Sequence, residues 1–260
     1  MMLPVRGAVA LDGGSLAYRS VGSGPWVVFI HGFTLDQRMW FPQVRRFRQA
    51  CTVLTYDCRG FGRSTTPVGP YNHADDLRSL LSALGAPAVH LVGLSMGGRI
   101  ALSYALRWPR AVRSLALIGT DVGGYRHRID WDVQAGPDSL DAARRRWLHH
   151  DLFRTTRGHR TAWDRVTRMV GDYSGWHWLH DDVRRPVDTG TWDRLDEIGT
   201  PTTVIVGRDD LPDFHRIAAA LERRMPLARK VVVRGAGHLV NLEAPGACNA
   251  LLDAHLAAHA

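Results

Sequence analysis

Lysine is nearly missing from this chain of 260 residues: Lys230 is the only one, so a net charge of +8 rests almost wholly on arginine. The arginines are scattered, with small clusters at Arg45, Arg46, Arg48 and at Arg144 to Arg146. No zinc-finger, KH or RRM pattern and no basic stripe interleaved with stacking aromatics accompanies them, which argues against nucleic acid as a partner. Solvated faces of arginine-rich helices account for the charge. Cysteine is also scarce. Cys51, Cys58 and Cys248 are odd in number and lack metal-type spacing, which fits reduced thiols rather than a disulfide framework. No run approaches the roughly 18 apolar residues of a membrane span, and MMLPVRGAVA lacks the basic-then-apolar order of a signal peptide. A cytoplasmic protein without membrane association is expected. Internal repeats and low-complexity tracts are absent too.

What is present is alternation. Val5 to Ala10 and Ser15 to Val21 flank Asp12-Gly13-Gly14 and read as an antiparallel hairpin. Short apolar runs follow at Trp26 to Ile30, Thr52 to Tyr56, Val89 to Val92, Val112 to Ile118, Thr202 to Val206 and Lys230 to Val233. Runs of this kind belong to strands buried on both faces of a parallel sheet. Apolar residues at spacings of three and four predict helices over Tyr71 to Leu84, Met96 to Arg107, Phe214 to Arg224 and Pro245 to Ala258. Strand and helix in alternation imply an α/β sheet with right-handed crossovers.

Asp121 to Trp192 breaks that rhythm. It has no strand-length run, yet it holds six of the nine tryptophans: Trp131, Trp147, Trp163, Trp176, Trp178 and Trp192. So aromatic a segment is not a disordered linker. It is expected to be a helical cap, residues 121–192, inserted in a single-domain core of residues 1–120 and 193–260.

Gly93-Leu94-Ser95-Met96-Gly97 lies between a strand run and a helical pattern and matches G-x-S-x-G, the sharp turn that exposes a nucleophilic serine. A serine hydroxyl needs a histidine to take its proton and a carboxylate to hold that histidine. Acids follow the run PTTVIV in Gly207-Arg208-Asp209-Asp210, and His238 follows the run KVVV in Gly235-Ala236-Gly237-His238. Carboxyl ends of parallel strands form one rim, so these groups converge there although distant in sequence. The backbone N–H groups of Phe33, after His31-Gly32, and of Met96, at the start of the helix, are the candidate oxyanion donors.

With HGFT (31–34), YDCRGFGRS (56–64), GLSMGG (93–98), GRDD (207–210) and GAGHLVNLEAP (235–245) in this order, the chain resembles the α/β-hydrolase fold family, in its small esterase and enol-lactonase branch. The resemblance implies a mostly parallel sheet with an N-terminal hairpin, helices on both faces, and a cap. It also implies Ser95 as nucleophile, His238 as base and an acid that the family's G-x-x-D pattern puts on Asp210 in preference to Asp209, with Asp213 third. The expected substrate is a small ester or lactone, cleaved through an acyl-enzyme without cofactor or metal. Aspartate-nucleophile dehalogenases and epoxide hydrolases are disfavoured by the serine, and carbon–carbon hydrolases by Leu239, where they often carry an aromatic residue. Perhydrolase chemistry and a non-catalytic ligand-binding protein are the other readings of this fold.

Trp40, Trp176 and Trp178 are candidates to line the substrate pocket. Arg99, Arg126 and Arg128 could bind a substrate carboxylate but are read as ordinary surface arginines. His31 is read as a structural histidine bonded to nearby backbone, and Asp57, Arg59 and Ser64 as a structural loop. His177, His180, Asp181 and Asp182 have spacing that a metal could use, but are read as cap surface.

Overall fold

The computed structural model describes residues 5–129, 131, 139–180 and 190–260. Two strands open the chain, β1 (Val5–Leu11) and β2 (Gly14–Val21), paired antiparallel across the Asp12-Gly13 turn. Then come β3 (Trp26–Ile30), α1 (Phe41–Phe47), β4 (Thr52–Tyr56), α2 (His73–Ala83), β5 (Val89–Leu94), α3 (Met96–Arg107) and β6 (Val112–Ile118). The strand bounds agree with the apolar runs to within two residues. Helix α1 has no periodic signal in the sequence, because FPQVRRF is short and has proline at its second position. Helix α2 begins two residues later than its pattern, since the Asn72 side chain accepts from the N–H groups of Ala74 and Asp75 and so caps it.

Between β6 and the next strand lie α4 (Leu140–His149), α5 (Arg160–Asp172), the short α6 (Trp176–Leu179) and several 3₁₀ turns, with no strand among the described residues. Strand β7 (Thr202–Gly207), α7 (Pro212–Arg224), β8 (Ala228–Val233), α8 (Val240–Glu243) and α9 (Pro245–Ala258) complete the chain.

The strands form one eight-stranded sheet in the order β1-β2-β4-β3-β5-β6-β7-β8. All pairings from β4 onward are parallel. Strands β3 and β5 are neighbours, with Ile30 opposite Gly93, and β4 flanks β3 on its other side. The chain therefore leaves β3 toward one edge and returns to build toward the other. A reversal of strand order opens a crevice outside the carboxyl ends of the strands on either side of it. Here those ends carry His31-Gly32-Phe33 and Ser95. No helix among the described residues is long and apolar enough to cross a membrane.

Candidate active site

Ser95 ends β5 and begins α3 at φ +53, ψ −115, a left-handed conformation that a side chain rarely adopts. The turn is possible because its neighbours are small: a Cβ on Gly93 would run into the Gly97 carbonyl, and one on Gly97 into the Ile30 carbonyl. The Ser95 carbonyl accepts from the N–H groups of Gly98, Arg99 and Asp121, at 2.9, 3.1 and 3.2 Å, which holds the strained residue in place.

His238 follows β8 and is buried, 2% exposed. Its Nδ1 lies 3.1 Å from each carboxylate oxygen of Asp210. An N–H at Nδ1 shared with the carboxylate leaves Nε2 as the basic nitrogen. Asp210 also accepts from the N–H of Leu211 at 2.7 Å. Asp209, by contrast, is exposed, and Asp213 is buried among the Tyr125 hydroxyl, the N–H groups of Arg128 and Ile129, and Arg216. Those donors outweigh burial, which alone would raise it, and hold the Asp213 carboxyl below its usual range. The loop carrying His238 is pinned by Glu243, which accepts from the N–H groups of Gly237 at 2.5 Å and Leu239 at 3.3 Å and from the Thr156 hydroxyl at 2.5 Å.

On the other side of the crevice, His31 is fully buried. The Cys58 N–H donates to its Nε2 at 2.8 Å, so the ring proton is on Nδ1, which donates to the Gly32 carbonyl at 2.8 Å. The Leu35 N–H bonds the same carbonyl at 3.2 Å. In a trans peptide the N–H points opposite to the C=O, so fixing the Gly32 carbonyl also fixes the Phe33 N–H. Neither that N–H nor the Met96 N–H donates to a described residue. Asp57, Arg59 and Ser64 are structural: Asp57 accepts from the N–H groups of Gln37 and Arg63, Arg59 forms a buried two-bond pair with Asp76, and Ser64 donates to the Asp57 carbonyl.

Ser95, Met96, Phe33 and His238 share one cavity of about 350 Å³. Trp147, Leu152, Phe153, Trp178 and Phe214 give it an apolar wall, most of it from the segment between β6 and β7. Of the three tryptophans expected there, only Trp178 lines it. Trp40 is corrected to a core residue: it is fully buried against Phe29, ring centres 5.0 Å apart. Trp176 is corrected too, stacking on His180 at 5.1 Å, away from the cavity lining. Nearness in sequence to the Phe33 loop or to Trp178 does not decide which way a ring turns.

Arg99 is another correction. Arg126 and Arg128 are exposed, but Arg99 lines the cavity, with Nη1 3.3 Å from Asp121, and its Nε is buried without a hydrogen-bond partner among the described residues. Asp121 also accepts from His127 Nε2 at 2.8 Å. Burial would raise the Asp121 carboxyl, but His127 and Arg99 hold it below the usual range. This polar patch of Arg99, Asp121 and His127 had no motif to announce it; only the position of Arg99, one helical turn beyond Ser95, was a signal.

Among the described residues no group of three histidine, cysteine or acidic side chains is placed to hold a metal. Asp181 and Asp182 lie outside the described residues. The nitrogens of His177 are engaged by the hydroxyls of Tyr173 at 2.7 Å and Tyr71 at 3.1 Å. All three cysteines are buried free thiols, and burial raises the pKa of each.

Comparison with known proteins agrees with this fold. The profile of the alpha/beta hydrolase family matches residues 27–251. The putative carbamate hydrolase RutD of Agrobacterium fabrum is 27% identical, over 90% of this chain and 94% of its own. Among solved structures, Est816, described as an N-acyl homoserine lactone degrading enzyme, superposes with a TM-score of 0.80 at 27% identity, covering 95% of this chain and 99% of the other. A thermophilic esterase from Thermogutta terrifontis superposes with a TM-score of 0.77 at 25% identity over the whole of both chains.

Proposed function

Since the chain belongs to the alpha/beta hydrolase family, we propose that it is a serine hydrolase that cleaves a small carboxylic ester or lactone through an acyl-enzyme. The observation that carries this reading is His238, bonded through Nδ1 to Asp210 and lining the same cavity as Ser95. In this reading the Ser95 hydroxyl attacks the substrate carbonyl while Nε2 of His238 takes its proton, and Asp210 stabilises the imidazolium. The tetrahedral oxygen is held by the N–H groups of Phe33 and Met96, at the positive end of α3. His238 then protonates the leaving alcohol, and a water activated by the same histidine releases the acid.

Residues 121–192 act as the cap, whose aromatic side chains, Trp178 among them, receive the apolar part of the substrate. A cavity of this volume, with Arg99, Asp121 and His127 in its wall, suits a compact substrate with a polar substituent better than a long alkyl chain. Lactones and carbamates enter the test because the relatives named above are described as acting on them.

The test is a panel of p-nitrophenyl esters from acetate to octanoate, simple and N-acyl homoserine lactones and a phenyl carbamate, with wild type beside Ser95→Ala. Turnover that Ser95→Ala abolishes, together with fluorophosphonate labelling of wild type alone, supports the reading. A wild type that neither turns over nor labels would refute it and favour a ligand-binding protein on this fold.

A further inference from the structure

The segment between β6 and β7 reaches the backbone of Phe33 through one short chain of hydrogen bonds. The indole Nε1 of Trp147 donates to Oγ1 of Thr34 at 2.6 Å, and that hydroxyl donates to the Phe33 carbonyl, also at 2.6 Å. An indole N–H only donates. The direction of the chain is therefore set: Trp147 takes a lone pair of the hydroxyl, and its hydrogen goes to Phe33. Both residues at the junction are buried, Thr34 at 1% and Trp147 at 2% exposure.

Thr34 has φ +62, the only described residue besides Ser95 that is not glycine and has a positive φ. A β-branched residue avoids that region and stays there only when its surroundings hold it. The two peptide planes flanking Phe33 are each pinned by a different part of the molecule. The preceding plane is held at the Gly32 carbonyl by His31 and Leu35, both from the core. The following plane is held at the Phe33 carbonyl by Thr34, and through it by Trp147 on α4. The Phe33 ring is bracketed as well, edge-on to Trp147 at 5.9 Å and to Tyr173 at 6.1 Å.

We propose that Trp147 and Thr34 are positioning residues for the oxyanion hole, so that the hole is assembled only when α4 is seated over the site. This rests on the serine hydrolase reading above. Without the indole bond, nothing outside its own loop holds Thr34 in its strained conformation; as it relaxes, the plane after Phe33 turns about the Phe33 Cα, and the Phe33 N–H, then held from the Gly32 side alone, loses its fixed aim at the oxyanion. The cap then contributes to catalysis through the backbone of Phe33 as well as through the wall of the cavity.

Thr34→Val keeps the shape and branching but removes the hydroxyl, Thr34→Ser keeps the hydroxyl, and Trp147→Phe removes the donor while leaving a smaller aromatic ring in the cavity wall. The readouts are kcat and KM on p-nitrophenyl butyrate and the rate of Ser95 labelling by a fluorophosphonate, whose P=O oxygen also occupies the hole. Thr34→Val and Trp147→Phe are each expected to lower kcat and the labelling rate by about tenfold or more, and in Thr34→Val, which leaves the cavity wall intact, KM stays within about threefold of wild type. Thr34→Ser should stay near wild type, and the double variant should be no worse than Thr34→Val. Wild-type kcat in Thr34→Val, a loss in Thr34→Ser as large as in Thr34→Val, losses that multiply in the double variant, or a change confined to KM would each overturn the proposal. Should Thr34→Val fail to fold, Trp147→Phe against Thr34→Ser makes the same comparison. A wild type that does not label removes the serine reading and this inference together. A wild type that labels at the same rate as the variants removes this inference alone.

Discussion

Both carboxylate oxygens of Asp210 lie 3.1 Å from Nδ1 of His238, while the adjacent Asp209 is exposed and tied to the protein by its own N–H on the Ala236 carbonyl. The two acids are one residue apart, yet only one holds the histidine in the tautomer that leaves Nε2 basic. Asp210→Asn is expected to lower kcat by roughly three to four orders of magnitude, as loss of the orienting carboxylate does in serine hydrolases. Asp209→Asn should stay within about twofold of wild type, as expected of an exposed group outside the site. Steady-state kinetics on one ester separates the two. Equal losses would show that the acid has been misassigned.

Gly119, after β6, sits behind this pair at φ +46, and a Cβ there would lie 3.0 Å from His238 Nδ1 and 3.2 Å from Asp210 Oδ2. Gly119→Ala therefore adds the left-handed backbone cost of about 1–2 kcal/mol and pushes the two partners apart. Activity should fall with a modest drop in Tm. A variant with full activity would mean that the loop absorbs the methyl group.

His31 bonds the Gly32 carbonyl through Nδ1 and receives the Cys58 N–H at Nε2. His31→Ala leaves the Cys58 N–H buried without a partner, at about 1–3 kcal/mol, and the Gly32 carbonyl with the Leu35 N–H alone. The Phe33 N–H loses its orientation as well. Both thermal stability and kcat should drop, while KM moves little. An unchanged Tm in differential scanning calorimetry would contradict this.

A buried chain on the α9 side of the sheet contributes to the response to acid. Nδ1 of His90 lies 2.7 Å from the Ser114 hydroxyl, which lies 2.8 Å from Nε2 of His255, and Nδ1 of His255 lies 2.9 Å from the Thr203 hydroxyl. Burial, reinforced by nearby cationic groups, lowers His90 to about 4 and His255 to about 3. In the unfolded chain both titrate near 6.5. Below that pH the unfolded state binds more protons than the folded state, so stability rises with pH across this window. It is complete above about 6.5 and is lost progressively as pH falls toward 4 and 3, by up to ~1.4 kcal/mol per pH unit for each histidine. Urea denaturation at pH 7.5, 6 and 5 should show a falling midpoint, with a shallower fall in His255→Gln. A midpoint independent of pH over this range would exclude these histidines as the cause.

The features legible in the residues alone are local and periodic. Continuous apolar runs marked the strands, because a strand buried on both faces has no polar side to show. Spacings of three and four marked the main helices, and the small residues around Ser95 marked its turn, because no larger side chain fits that close approach of strand and helix. The order of the strand ends then put Ser95, an acid and His238 on one rim. Where each side chain points and which distant group it meets followed from packing. Asp210 was separated from Asp209 by burial beside His238, Trp40 was turned into the core by Phe29, and Arg99 was brought into the cavity beside Asp121. Trp147 and Thr34 lie 113 residues apart and meet through a single hydrogen bond. Neither residue type nor local period announces such a contact, because it exists only once separate elements have packed and excluded water between them.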